Sequence, residues 1–243
     1  MKKNLSKFNF FCHGILALLP SILKIPLYRL FCGYQIGRGV SIGFSIIAVD
    51  NCRIDDAVRI GHLNLFLKTK DLKIGEHTKI GHLNIIRGGE AVDLGRYTEI
   101  IRLNEINAIP DPIVSNPVDS RFSLGDGSIV TTSHKIDFTD RVMIGKRSIL
   151  GGRNSSLWTH NRQETRPITI ADYCYVGSEI RMVPGSSIPP GCIVGIGSVI
   201  SKPLKGDSHL VGGVPARLIK PLDEKGMELV KFKTRMDLPD DIK

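Results

Sequence analysis

Three pentapeptides, Ile60-Gly61-His62-Leu63-Asn64, Ile80-Gly81-His82-Leu83-Asn84 and Ile100-Ile101-Arg102-Leu103-Asn104, recur at intervals of 20 residues. Each opens on an aliphatic residue, and outward from them such residues return in steps of six. Upstream the register holds Ile36, Ile42, Ile54 and Phe66; it continues through Ile74, Ile86, Val92, Leu94, Ile106, Val118, Leu124, Val130 and Ile136. Ile144, Leu150, Ile170, Val176, Met182, Ile188, Val194 and Ile200 complete it. Gly commonly follows the aliphatic, as at Gly43, Gly75, Gly125 and Gly177, and a small or short residue stands four places on, as at Val58, Thr78, Ser128 and Cys174. A short period repeated this often marks a solenoid. An extended segment points its aliphatic inward and turns a corner at the small residue. Three segments close a triangular coil of about 18 residues, and stacked coils pair their backbones about 4.8 Å apart. Two extra residues near Leu72-Lys73, Val92-Asp93 and Val142-Met143 shift the phase. Asn64, Asn84 and Asn104 fill the small slot, which predicts a structural ladder of amides.

The chain of 243 residues, net charge +9, fits one solenoid with short ends. Its five cysteines include Cys52, Cys174 and Cys192 in small interior slots, which reads as packing rather than a disulfide framework. Residues 1–49 contain no Asp or Glu yet carry Lys2, Lys3, Lys7, Lys24, Arg29 and Arg38 around the apolar stretch Phe8 to Cys32. Pro20, Lys24, Pro26 and Arg29 break that stretch into pieces too short to span a bilayer, and no small-residue cleavage motif follows. Two readings remain for residues 1–35: amphipathic pieces lying in a membrane interface, or a cap that hides the open edge of the first coil. Residues 36–205 form the β-helix. Residues 206–243 hold a basic exit strand, with Arg217 and Lys220, and a short helix from Asp223 to Arg235, Asp223 capping its start.

The register fails over residues 155–167, Ser155-Ser156-Leu157-Trp158-Thr159-His160-Asn161-Arg162-Gln163-Glu164-Thr165-Arg166-Pro167. A loop pushed out of a rigid solenoid forms sites readily. An imidazole, with an ordinary pKa near 6.5, takes a proton from an attacking hydroxyl or amine. A second polar island, Thr131-Thr132-Ser133-His134-Lys135-Ile136-Asp137, precedes the loop. His134 occupies a small slot, and counting one coil on places Asn154 in the matching slot. His134, Asp137, Asn154 and Trp158 are therefore acceptor-binding candidates, with a buried, satisfied His134 as the alternative. His62 and His82 are expected to stack on an outer face as a surface ladder, with no clear third ligand for a metal.

From residue 36 to about 220 the pattern resembles the hexapeptide-repeat acyltransferases, whose fold is a left-handed parallel β-helix, an all-β class. Thr159-His160, Pro167-Ile168-Thr169-Ile170 and Tyr175-Val176-Gly177-Ser178 are similar to the motifs of the sugar O-acetyltransferases of bacterial exopolysaccharide and colanic-acid-type synthesis. The resemblance implies transfer of acetyl from acetyl-CoA to a sugar hydroxyl, with His160 as catalytic base and no metal. It implies cofactor contacts at Tyr175, Ser178, Gly195, Ile196 and Gly197, and phosphate contacts at Ser201, Lys202, Arg217 and Lys220; the family usually has Ala where Ile196 stands. It further implies a homotrimer with sites between subunits, a sugar or glycan acceptor and no nucleic-acid partner. The expected location is cytoplasmic, at the inner membrane face if residues 1–33 make peripheral contact. Alternatives are N-acetylation of a nucleotide-linked amino sugar, whose enzymes commonly add an N-terminal domain for which this chain has no room, and a non-catalytic β-helix scaffold. Serine acetyltransferase would need a larger helical domain than residues 1–35 supply. A carbonic-anhydrase-like helix would need three zinc-binding histidines.

Overall fold

The computed structural model describes residues 7–109, 118–233 and 238–242. Three parallel sheets share the chain. Sheet A begins with Gln35–Ile36, sheet B with Ser41–Ile42 and sheet C with Ile46–Ala48, and each gains one strand with every turn of the chain. Eight coils result, forming a left-handed β-helix of triangular section. The inward residue of each segment aligns along the axis. In sheet B the column is Ile42, Ile60, Ile80, Ile100, Val130, Leu150, Val176 and Val194, all buried. Every strand is too short to be stable alone, so stability comes from stacking this aliphatic column.

The phase shifts have a structural cause. In coil 1 the sheet A strand has two residues, whereas Asn51–Ile54, Asp71–Ile74, Ala91–Leu94 and Arg121–Leu124 have four. The added pair gives sheet A a second inward position, filled by Cys52, Leu72, Val92, Phe122 and Val142. The recurring Gly is also explained. A Cβ on Gly61 would collide with the carbonyl of Gly81 in the next coil, and one on Gly81 with the carbonyl of Ile101.

Two expectations are corrected. Val118 is not an inward register position; Ala91 pairs with Arg121, 30 positions on, and Phe122 takes the inward place. A ten-residue excess over the usual spacing of 20 therefore leaves the solenoid between Asn107 and Arg121. Nor is 155–167 wholly a loop. Ser156–Trp158 is a sheet C strand, with Leu157 stacked in register between Ile136 and Met182. The excursion proper begins at Thr159, and Ile168–Ile170 resumes sheet A.

Both ends of the solenoid are covered. Helices α1 (Lys7–Ala17) and α2 (Ser21–Leu27) lie over coil 1. The Ser21 hydroxyl donates to the Ile42 carbonyl and accepts the Ile42 N–H, both at 2.8 Å. The buried Lys24 ammonium donates to the carbonyls of Ala17 (2.8 Å) and Gly43 (2.7 Å), and burial pushes its pKa down to about 8. Lys2 and Lys3 lie outside the described residues. At the other end His209–Gly213 extends sheet B, and the antiparallel strand Ala216–Pro221 closes it. The terminal helix is shorter than the spacing predicts: α3 covers Glu224–Glu228, with the Asp223 carboxylate accepting the Gly226 N–H, and a wider π-turn runs to Lys233. Residues 234 and 235 lie outside the described residues. Burial raises the thiols of Cys52 and Cys174 to about 12, so they behave as small packed groups.

Candidate active site

The amide ladder is present and longer than the three Asn residues. Asn84 donates both its backbone N–H and its side-chain amide to Asn64 Oδ1, each at 3.0 Å, and Asn104 does the same to Asn84. His134 continues it: its backbone N–H donates to Asn104 Oδ1 (3.0 Å), and its Nδ1 accepts the Ser155 N–H (3.1 Å). The Ser155 hydroxyl then accepts the Ile180 N–H (3.2 Å). With Nδ1 an acceptor, the ring proton sits on Nε2 and is donated to the Thr131 hydroxyl, 3.0 Å away. His134 is thus fully buried and satisfied on both nitrogens, and its ring does not face a groove. Asn154 does not occupy the matching slot either. The strand Ile149–Arg153 carries one extra residue, pairing Val130 with Leu150 but Thr132 with Arg153, so the slot passes to Ser155 and Asn154 turns outward.

Burial holds the His134 imidazole down to about 4. As pH falls below 6.5 the unfolded chain therefore takes up this proton before the folded one. The group's stabilisation is complete above about pH 6.5 and drains as pH drops toward 4, by roughly 3 kcal/mol over the whole interval. His134→Asn extends the ladder with a group that does not titrate. It should flatten the stability curve between those pH values in urea denaturation; an unchanged acid slope would assign the sensitivity elsewhere.

The C-to-A edge of the prism gathers the other candidates. Asp137 ends its sheet C strand opposite Trp158 and is almost fully buried. Its Oδ1 accepts the Thr139 N–H (3.0 Å) and hydroxyl (2.6 Å); its Oδ2 accepts the Thr159 hydroxyl and the His160 N–H, both at 3.0 Å. Four donors saturate this carboxylate, so it fixes the chain rather than reaching for an acceptor. The excursion it holds is a tight hairpin. His160 bridges Thr165, the Arg166 N–H donates to the Thr159 carbonyl (2.9 Å), and Asn161 Oδ1 accepts from the Gln163 and Glu164 N–H groups at the tip. His160 is half-buried at the base of this hairpin, and the Trp158 indole beside it is 45% exposed.

The longer excursion between Asn107 and Arg121 leaves from the same edge, two coils earlier. Its two flanks return to the corner that precedes the hairpin: the Ile109 N–H donates to the Thr139 hydroxyl (3.0 Å) and the Asp119 N–H to Asp140 Oδ1 (3.2 Å). The Asp140 N–H in turn donates to the Thr159 hydroxyl (3.1 Å). Thr139 and Asp140 thus join both excursions at one corner, a role the register did not expose. The usable signal was Pro110, Pro112 and Pro117 within eight residues of a supposedly regular repeat.

The expected cofactor residues fall in two places. Ser201 and Lys202 are exposed on the same C-to-A edge as His160, two coils on, a rise of about 10 Å. Tyr175 lies on sheet B, and Ser178 and Gly195-Ile196-Gly197 form successive B-to-C turns, with the Gly197 N–H donating to the Ser178 carbonyl (3.0 Å). Ile196 projects into solvent, and the space beside Gly197, at φ +73°, is open. Arg217 and Lys220 are exposed on the exit strand. Within one chain the width of sheet C separates this second group from His160. His62 and His82 do stack, with centroids 5.5 Å apart, and each Nδ1 accepts a backbone N–H from the preceding coil.

No protein-family model matches the chain, and no curated protein matches it significantly. Solved structures align with it. A UDP-N-acetylglucosamine acyltransferase from Bacteroides fragilis covers 81% of this chain and 76% of its own, at 14% identity and a TM-score of 0.49. The polySia-specific acetyltransferase NeuO covers 77% and 85%, at 18% identity and a TM-score of 0.37. A hexapeptide-repeat-containing acetyltransferase from Vibrio cholerae, solved with acetyl-CoA, covers 92% and 94%, at 14% identity and a TM-score of 0.29. Identities and scores this low say nothing of this chain's chemistry, which rests on the residues above.

Proposed function

We propose that this protein transfers an acetyl group from acetyl-CoA to a hydroxyl of a sugar in a polysaccharide or lipid-linked glycan precursor, with His160 as general base. One observation carries the reading: the Asp137–Thr159–His160 corner, where a saturated, buried carboxylate fixes the base of a hydrogen-bonded hairpin that leaves the solenoid. His160 takes the hydroxyl proton as the oxygen attacks the thioester carbonyl. The C–S bond then breaks, and the proton passes to the departing thiolate of CoA. The exposed Trp158 indole offers a flat apolar face to a sugar ring.

Lys202, Arg217 and Lys220 are exposed cations suited to the phosphates of CoA. Replacing any one with Glu should raise the KM for acetyl-CoA more than it lowers kcat, and the affinity of the parent should weaken with salt. Unchanged cofactor affinity in all three variants would place the phosphates elsewhere.

A homotrimer completes the arrangement. In a cyclic assembly each contact joins two different surfaces, so the His160 edge of one copy can face the Ser178–Gly197 edge of the next. Exposed Leu63, Leu83 and Leu103 support such lateral packing. They sit at positive φ, 59°, 61° and 57°, where later coils carry Ser133, Asn154, Glu179 and Gly197. An exposed Leu in that conformation costs on the order of 1 kcal/mol of strain without packing in return. A straight ridge with one Leu per coil fits a parallel copy. A stable monomer in sedimentation at micromolar concentration would overturn the trimer.

The decisive experiment incubates the protein with labelled acetyl-CoA and membrane glycolipid extract, then analyses the products by mass spectrometry. An acetyl ester released by mild alkali is the expected product. An alkali-stable amide would move the reaction to an amino sugar, and no transfer to any acceptor would favour a scaffold.

A further inference from the structure

We infer that the outer face of the N-terminal cap docks on a bilayer containing anionic phospholipid. The inner face of the cap is accounted for: Ala17, Lys24 and Tyr28 are buried, and Arg29 donates to the Ile36 carbonyl at 2.6 Å. The outer face is not. Ile15, Leu18, Ile22, Leu23, Leu30 and Phe31 are 50% to 80% exposed. The opposite end is closed by an exit strand that exposes Arg217 and Lys220 alongside Val214 and Ile219, so among the described residues only the N-terminal cap presents a face of six large apolar residues.

Charge selects the occupant. No carboxylate occurs before Asp50, while Lys2, Lys3, Lys7, Arg29 and Arg38 are basic. An apolar face on a segment whose charges are all positive in sequence suits acyl chains beneath anionic headgroups. A second copy of the cap would bring cations against cations. Copies packed side by side along parallel coil axes would also leave the end face free, with the caps all on one side of the assembly, so that docking is multivalent. Among the described residues no helix is long and apolar enough to cross a membrane. Helix α1 has 11 residues and α2 has 7, with Pro20 between them and Pro26 inside α2, so the cap lies in the interface.

This inference deepens the proposed reading by putting the enzyme where a lipid-linked acceptor lies, and its readout stands apart from turnover. The full chain is co-sedimented with vesicles of phosphatidylcholine alone and of phosphatidylcholine with phosphatidylglycerol. Binding to the mixed vesicles is expected, weaker at high salt and weaker on phosphatidylcholine alone. The paired variants Leu18→Ser with Ile22→Ser, and Leu30→Ser with Phe31→Ser, should each lose at least about tenfold in binding, with lipid-free sedimentation and thermal melting unchanged. The inference is overturned if the parent binds neither vesicle or if both pairs bind as the parent does. It is also overturned if either pair alters the oligomeric state without lipid, since the face would then join copies of the chain. Vesicle binding without acetyl transfer would remove the enzymatic reading and leave this one standing.

Discussion

His160→Ala is expected to lower acetyl transfer by about a hundred- to ten-thousand-fold, the usual contribution of a general base. The loss should fall on kcat, with cofactor binding and assembly intact. The structural reason is that the hairpin keeps several hydrogen bonds in which the imidazole takes no part. The His160 N–H to Asp137, the Arg166 N–H to Thr159 and the Asn161-capped tip all survive removal of the imidazole. Thermal melting should therefore change little while single-turnover rates collapse. Retention of more than about a tenth of the parent rate at saturating acceptor would remove His160 as the base.

Asp137→Asn should damage the same site by a different route. The carboxylate accepts four hydrogen bonds, two of them from Thr159 and His160. An amide keeps one accepting oxygen for Thr139 but turns an N–H toward the Thr159 hydroxyl and the His160 N–H. The Thr159 hydroxyl can turn to the Asp137 carbonyl, 3.1 Å away, but the His160 N–H then faces a donor, at a cost of about 1–3 kcal/mol in stability. The hairpin base should shift, and kcat should fall at least about tenfold with little change in the KM for acetyl-CoA. Thr139→Val is the control. It removes the hydroxyl bond to Oδ1 and the acceptor of the Ile109 N–H but keeps both Oδ2 bonds to Thr159 and His160, so it should cost about 2 kcal/mol and leave kcat within about twofold. Equal kcat losses in the two variants would mean that general destabilisation, not placement of His160, is responsible.

The solenoid was legible in the sequence because a stacked coil imposes one local demand at each corner and repeats it. An aliphatic at position one, a Gly under the next coil's carbonyl and a small residue at the turn can be counted without knowing what they touch. The Asn64, Asn84 and Asn104 ladder followed from the same count. His160 stood out because Thr159 to Pro167 cannot be fitted to that count.

What counting could not supply were consequences of one-residue and ten-residue changes in where the coil closes. One residue added to Ile149–Arg153 gave the ladder position to Ser155, and the buried ladder made His134 a structural imidazole. The excess before Arg121 kept an aliphatic, Val118, on the six-residue grid by coincidence, although Phe122 fills the core. Asp137, an acceptor-binding candidate by sequence, became a saturated anchor only when the fold set Thr139, Thr159 and His160 around it. The sequence by itself determined the repeat, and with it the fold, because every coil satisfies its hydrogen bonds and packing with its immediate neighbours. The tertiary structure alone decided which polar residues meet at an edge. That depends on the summed length of all intervening coils and insertions, a quantity no local pattern carries.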